Sequence, residues 1–486
     1  MKGRKNESLG GGSMSDKAMK DQSWLHLFSV RFGTRSPSVS VVFRSFTRSL
    51  AHSFTSIAPL ATFRMLFGAM MVFSTARFMA LGWVADHYIE PKLHFHYYGF
   101  EWLEPLPAIA MYTVHVLMLL GALGIMLGAF YRLSALMFFL TFTYCELLDS
   151  TYYLNHYYFV SVVSFLLIWL PANRAASVDV WRRAIPSVRY VPAWTINIIK
   201  LQLALVYIYA GLAKIRYDWL INALPLKIWL PANDALPIIG PLFALPWMPY
   251  VFSWAGMLYD TFIVFFLLWP RSRPWAYATV VVFHLLTGLL FQIGVFPLVM
   301  IAATPIFFSV DWHERLLRWG KQGRGLGQGV WRSLAPKGIV QTLLLVFVCF
   351  QLVFPWRYLL YPGNLFWTEE GYRFGWRVML MEKAGTATFF VRDSRTGHEG
   401  VVDNREFLND HQEKQMAMQP DLIIQFAHYL ANYYQKHGVY KPQVRAEVYV
   451  TLNARPSQLL IDPAIDLTQI QDSWAHKSWI LSNEHN

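Results

Sequence analysis

Long apolar runs separated by short polar connections fill most of the chain. A helix needs about 20 mostly apolar residues to cross the hydrocarbon core of a bilayer. Nine runs are candidates: 58–83, 107–130, 133–149, 154–171, 193–214, 247–269, 274–290, 294–309 and 338–356. The third, fourth and eighth are short, and the eighth also reads as a tilted or re-entrant segment. From about residue 357 the pattern changes. Thr386–Arg392 (TATFFVR) and Ala446–Leu452 (AEVYVTL) alternate in polarity or are β-branched, which predicts strands. Between them SRTGHEG (394–400) predicts a hairpin turn, with Gly397 and Gly400 supplying freedom in φ. Pro420 opens a stretch to 436 that places Leu422, Ile423, Phe426, Tyr429 and Leu430 on one face, which predicts an amphipathic helix.

Charge in the connections gives these runs a direction. Residues 1–57 carry nine Lys/Arg against three acidic residues. Residues 171–190 hold Arg174, Arg182, Arg183 and Arg189 against Asp179, 270–273 hold Arg271 and Arg273, and 310–337 are rich in Lys and Arg. These are alternate connections. By contrast 84–106 hold Asp86, Glu90, Glu101 and Glu104 against Lys92. The excess of cations on cytoplasmic loops then predicts a cytoplasmic N-terminus, and nine crossings carry the C-terminus outside. The expected fold is a membrane all-α bundle of about nine transmembrane helices followed by a small extracytoplasmic α+β domain. Its expected parts are a basic cytoplasmic tail over 1–57, a helical domain over 58–356 and the α+β domain over 357–486. The charged, Gly/Ser-rich start (1–22) lacks the apolar centre of a signal peptide and is expected to be disordered, so the first apolar run reads as an uncleaved anchor.

Composition agrees: 55% hydrophobic, 17% aromatic and only 15% charged, where soluble domains carry about 25% charge. The net charge of +12 is accounted for by the cytoplasmic-side loops, so a lipid bilayer rather than nucleic acid is the expected partner. Cys145 and Cys349 both lie in apolar runs and read as buried small hydrophobes. His94 and His96 (HFHYY) have no third ligand nearby, and no metal site is expected.

Ionisable groups at membrane depth are costly and point to function. Asn155 and His156 open the fourth run, Lys214 closes the fifth, and His284 lies in the second half of the seventh. The predicted topology brings all of them to the extracytoplasmic side. Asp260, within the sixth run, reads as the structural partner of a cation. No GxSxG, HExxH or P-loop motif accompanies them. Burial disfavours an ammonium and leaves a neutral amine able to act as a base. Such a base suits a weakly acidic, lipid-soluble substrate such as a quinol.

At these residues the chain resembles the vitamin K-dependent γ-glutamyl carboxylase family, in its bacterial form, over nearly its whole length from about residue 56. The matching segments include FRMLFGAMMV (63–72), LDSTYYLNHYYF (148–159), VYIYAGLAKIRYDWL (206–220), FHLLTGLLFQIGVFPLVMIAATPIFFS (283–309), EGYRFGWRVML (370–380) and ARPSQLLIDPAIDL (454–467). The resemblance implies that Lys214, in an AGxxK segment, removes a proton from vitamin K hydroquinone. Oxygenation by O₂ then creates a base strong enough to take the γ-hydrogen of a peptide glutamate. The carbanion captures CO₂, and vitamin K leaves as its epoxide, with no metal required. It further implies that Asn155 and His156 hydrogen-bond to developing oxyanions and that His284 lies at the same pocket. Tyr207, two turns before Lys214, is expected to line the quinol ring, and Tyr372, Trp376 and Met379 to approach the glutamate of a peptide or protein substrate. The glutamate-contacting segment reads EEGYRFGW here, more polar than in animal carboxylases. Two other readings are a quinol epoxidase that no longer carboxylates glutamate and a non-catalytic membrane protein that binds quinones or peptides.

Overall fold

In the computed structural model the described residues are 53–291, 293–319, 329–331 and 337–483. The expected disordered start of the cytoplasmic tail lies outside them. Residues 53–55 and 192–194 fall in a small separate unit, and everything else described forms one compact unit.

Each apolar run contains a helix, and one further helix follows the eighth run. We number them α1 (Ala58–Ala80), α2 (Ala108–Leu127), α3 (Tyr131–Leu148), α4 (Asn155–Trp169), α5 (Trp194–Ala213), α6 (Met248–Leu268), α7 (Arg273–Leu290), α8 (Phe296–Ala303), α9 (Val310–Trp319) and α10 (Lys337–Val353). The expected nine crossings are not all supported. Among the described residues five helices are long and apolar enough to cross a membrane: α1, α2, α5, α6, and α10 with the turn that extends it to Leu360. The eighth run accounts for the difference most clearly: its helical stretch, Phe296–Phe307, is followed by a bend of 110° into Val310–Arg318, so the two together make at most one broken or re-entrant sixth span. Length limits α4, which has 15 residues.

Helices α1, α2, α3 and α4 pack in sequence, and α6, α7 and α8 do likewise, with α8 returning to α1. One buried cation joins the first set. Arg64 on α1 donates to the carbonyls of Ile125 and Met126 (2.7 Å each), which end α2, and to Ala172 (3.1 Å). The last carbonyls of a helix have no partner within the helix, and one planar guanidinium with five donors serves several at once.

The C-terminal part contains a four-stranded antiparallel sheet. β1 (Lys383–Arg392) pairs along its length with β3 (Gln443–Leu452); β2 (Glu399–Val401) flanks β1, and β4 (Gln458–Leu459) flanks β3. The turn joining β1 and β2 falls at 393–398, and Gly397 adopts φ 72° there, a value open mainly to glycine. Gly400 lies instead within β2, opposite Val391. Burial alternates along β3, with Val444, Ala446, Val448 and Val450 fully buried. The predicted helix over 420–436 is present, preceded by a shorter one: α11 (Asp410–Met416) and α12 (Pro420–Lys436). α12 turns Leu422, Ile423, Phe426 and Leu430 into the same core. Phe389 meets Phe426 edge to face, with centroids 4.9 Å apart. That core runs without a break into Phe95, Trp219, Met257 and Leu290 of the helical part. Cys145 is buried, but Cys349 is exposed on α10. It corrects the expectation for that residue: an apolar run marks a helix suited to lipid, and only packing decides which of its faces is covered.

Candidate functional site

α5 and α6 approach closely at Gly211. A Cβ at that position would run into the backbone and side chain of Thr261. Glycine therefore lets the helices touch, and Lys214, just past the end of α5, is delivered to α6. Lys214 Nζ donates to the Asp260 carboxylate at 2.7 Å, and both residues are buried. A second bond to the Ala210 carbonyl (3.3 Å) and the face of Trp219, 5.3 Å away, complete the ammonium's surroundings. The sequence reading of Asp260 as a cation's partner holds, and the cation is Lys214.

The pair stands in a narrow cavity of about 100 Å³ whose walls include Tyr207, Trp219, Trp229, Phe283, Phe291 and Phe296. A slim, almost wholly apolar space with one polar end suits a flat ring carrying hydroxyls. His284 joins Lys214 and Asp260 in its lining. Its Nδ1 lies 2.9 Å from the Val280 carbonyl. A neutral imidazole bonded in that way keeps its proton on Nδ1 and presents Nε2 as an acceptor. Tyr207 meets the His284 ring edge-on, with centroids 6.2 Å apart. Phe296 sits between the two histidines, its ring 5.7 Å from that of His284 and 5.5 Å from that of His156. His156 does not line the cavity itself, but its Nε2 is buried with no hydrogen-bond partner among the described residues.

The C-terminal segment reaches the same place unevenly. Met379 and Val378 line the cavity. Trp376 is fully buried and stacks on Tyr158, with centroids 4.7 Å apart, while Tyr372 packs edge-on against Phe366; neither lines the cavity. Asn155 is engaged at both ends of its amide: it donates to the Arg377 carbonyl at 2.7 Å and accepts from Tyr153 Oη at 3.1 Å. It thus pins the 374–379 segment to the start of α4. Phe374, Trp376 and Met379 adopt φ of 58°, 56° and 51°. Three side-chain-bearing residues in the left-handed region within six positions mark a segment held by its surroundings rather than by local preference.

Sequence reasoning passed over a cluster of arginines beside this segment. Arg216 lies over Phe366 (4.4 Å), Arg357 over Phe354 (4.0 Å) and Arg377 over Tyr358 (4.2 Å). Burial pushes Arg216 and Arg377 below the ordinary arginine value. Carboxylates of the region are already taken: Asp218 by Arg455 (2.6 Å), Glu369 by Lys383 (2.8 Å), Glu370 by His476 (2.9 Å) and Asp421 by Arg373. Among the described residues none forms an ion pair with the three arginines, so the boundary carries surplus positive charge. Their spread over positions 216, 357 and 377 left no local signal to find. Nor do the described residues contain a group of three or more His, Cys, Asp or Glu placed to hold a metal.

Fold and site together define a multi-pass membrane protein with a buried Lys–Asp pair in an aromatic cavity, capped by a sheet-containing C-terminal domain. Residues 53–312 match the HTTM domain family model, and residues 336–486 match that of the vitamin K-dependent gamma-carboxylase lumenal domain. The chain belongs to the vitamin K-dependent gamma-carboxylase family. The lumenal-domain match points to an extracytoplasmic C-terminal part. No solved structure matches the chain.

Proposed function

We propose that this protein carboxylates peptide glutamate to γ-carboxyglutamate, using vitamin K hydroquinone and CO₂ and coupling the reaction to epoxidation of vitamin K by O₂. The observation that carries this reading is the Lys214–Asp260 pair, buried at the polar end of an aromatic cavity beside His284.

The residues suit the hydroquinone. Aromatic walls accept a flat ring, and Met379, unbranched and adaptable, is able to yield to it. When bound, the hydroquinone with O₂ supplies a base far stronger than any amine, which removal of a glutamate γ-hydrogen requires. In its neutral form Lys214 takes the hydroxyl proton and becomes the ammonium; the Asp260 carboxylate holds the lysine in place and balances the charge that proton brings. The cavity's walls are almost wholly apolar, and a low local dielectric strengthens the pair's hydrogen bonds. His284 Nε2 accepts a hydrogen bond from the second hydroxyl. His156, with its free Nε2 one ring away, is the next polar group available to developing negative charge. Asn155 acts by fixing the segment that bears Met379, and Tyr207 braces His284. Arg216 and Arg377 complement the carboxylate of the glutamate substrate, with Trp376 and Tyr372 supporting the segment from behind. In this reading the N-terminus is cytoplasmic, residues 58–356 form the membrane domain and residues 357–486 the extracytoplasmic one.

The test uses purified protein in nanodiscs with reduced vitamin K, O₂, a glutamate peptide and radiolabelled bicarbonate, beside Lys214→Ala. Epoxide and labelled peptide, both lost in the variant, are expected. Epoxide without label would leave only the quinol half. Neither product from folded native protein would reject the enzyme and favour a binding scaffold.

A further inference from the structure

A second cavity, about 330 Å³, opens on the other side of α4. Its walls come from α3, α4 and α10 and from three residues outside them, Tyr97, Tyr153 and Phe374. Rings dominate: Phe139, Tyr153, Tyr158, Phe165, Phe347 and Phe350 line it. Phe350 is exposed on α10, a helix suited to lipid, so the cavity communicates with the bilayer.

Polar atoms converge here without partners. Thr143 Oγ1, Ser161 Oγ and Gln351 Oε1 are buried and make no hydrogen bond among the described residues. All three residues line the cavity, and so does Glu146, one turn after Thr143, whose carboxyl has no hydrogen bond or ion pair among the described residues. Gln351 Nε2 donates to Tyr158 Oη at 2.8 Å, which leaves its carbonyl oxygen as the free acceptor. Orphaned polar groups against hydrocarbon are costly because no water is at hand to satisfy them. An acyl chain would leave every one of them unpaired. A flat ring with two hydroxyls would pair them: its O–H groups donate to Glu146 and Gln351, and its oxygens accept from Thr143 and Ser161.

We infer that this cavity is a second binding site for a lipid-soluble quinol, distinct from the Lys214 cavity. The inference rests on the quinol-dependent function proposed above. Residues 374–379 join the two sites, supplying Phe374 to one and Met379 to the other, and α4 lines the second cavity with Tyr158 and Ser161 while its His156 packs on Phe296, a wall of the first. A ring held in the second cavity is therefore one helix away from the Lys–Asp pair and open to the membrane from which quinol arrives.

The experiment counts a short-chain reduced naphthoquinone bound per protein in nanodiscs of defined lipid, with turnover measured on the same samples. Native protein is expected to bind two. Ser161→Phe, which fills the second cavity, is expected to bind one and to keep turnover at saturating quinol. The isosteric Glu146→Gln, combined with Gln351→Leu, is expected to weaken the second binding phase by about tenfold without unfolding the protein. Gly256→Leu, in the Lys214 cavity, is expected to retain the phase that Ser161→Phe removes. One quinol per native protein, with a binding curve that neither Ser161→Phe nor the double variant alters, would overturn the second site alone. No quinol bound at all would instead reject the proposed function and this inference with it.

Discussion

Lys214 and Asp260 set a limit on each other. Each removes a cost that the other would incur if buried alone, and a buried charge left without its partner typically costs about 3–5 kcal/mol. The carboxylate also decides where the lysine points, toward α6 rather than out along its own helix axis. Asp260→Asn is therefore expected to lower thermal stability by roughly that amount and to abolish epoxide formation. Lys214→Met combined with Asp260→Leu is expected to recover most of the stability and none of the activity, because the apolar pair needs no desolvation. Thermal unfolding in detergent and epoxide assays on the three variants check this. Retained activity in Asp260→Asn would reduce the aspartate to a neutral neighbour. At this scale the sequence was informative about chemistry: a lysine, two histidines and an aspartate at membrane depth are visible as exceptions to an apolar pattern. That Lys214 meets Asp260, 46 positions away, was not visible. The close approach depends on Gly211, and a glycine in an apolar run looks the same whether or not a helix packs on it.

Among the elements, the turn carrying Asp218 and Trp219 couples the two parts of the chain. Trp219 borders the Lys214 cavity, while Asp218 accepts two bonds from Arg455 (2.6 and 2.8 Å) and one from Asn453 (3.2 Å) of the C-terminal part. Hydrogen bonding to Arg455 holds the Asp218 carboxyl below its ordinary value, against the opposing effect of burial. A depressed folded value stabilises the charged form. Its contribution is present above the ordinary aspartate range and is lost as pH falls through the lowered value, below about pH 4. Hydrogen-exchange protection of 217–222 is expected to drop over that window in native protein and to be low at every pH in Asp218→Asn. A native profile flat down to pH 2 would exclude the coupling. The elements themselves were readable where the period was strong. The helix at 420–436 and the strands paired as β1 and β3 follow from alternation and from Pro420, since their cores need only the right residues on one face. The 374–379 segment was not readable in this way. Its left-handed residues contradict local preference and persist because Asn155, Tyr158 and the cavity hold them.

For the whole molecule, topology is the open quantity the charge pattern addresses. Cation-rich connections alternate with ones that carry no excess of Lys and Arg, and the lumenal-domain match is consistent with that alternation at the C-terminal end. A cysteine introduced at Ser394, in the exposed hairpin, is expected to react with an impermeant maleimide from the extracytoplasmic side, in a Cys349→Ala background. Labelling only from the cytoplasmic side would invert the topology. The number of crossings is where sequence and structure part. Hydropathy counts apolar residues without regard to what covers them, whereas the bend of 110° after Phe307 and the 15 residues of α4 decide whether a run reaches across.

By itself the sequence determined the membrane character, a sheet-containing C-terminal part, the family and the ionisable residues at membrane depth on which the proposed chemistry rests. All of these are carried by composition, period and local order. Tertiary structure alone decided which groups touch: Lys214 with Asp260, Asn155 with the Arg377 carbonyl 222 positions away, and, among the described residues, three arginines left without carboxylates and unpaired polar atoms gathered round a second cavity. Such contacts join segments far apart in the chain. Their energies depend on burial and distance, which no local pattern encodes.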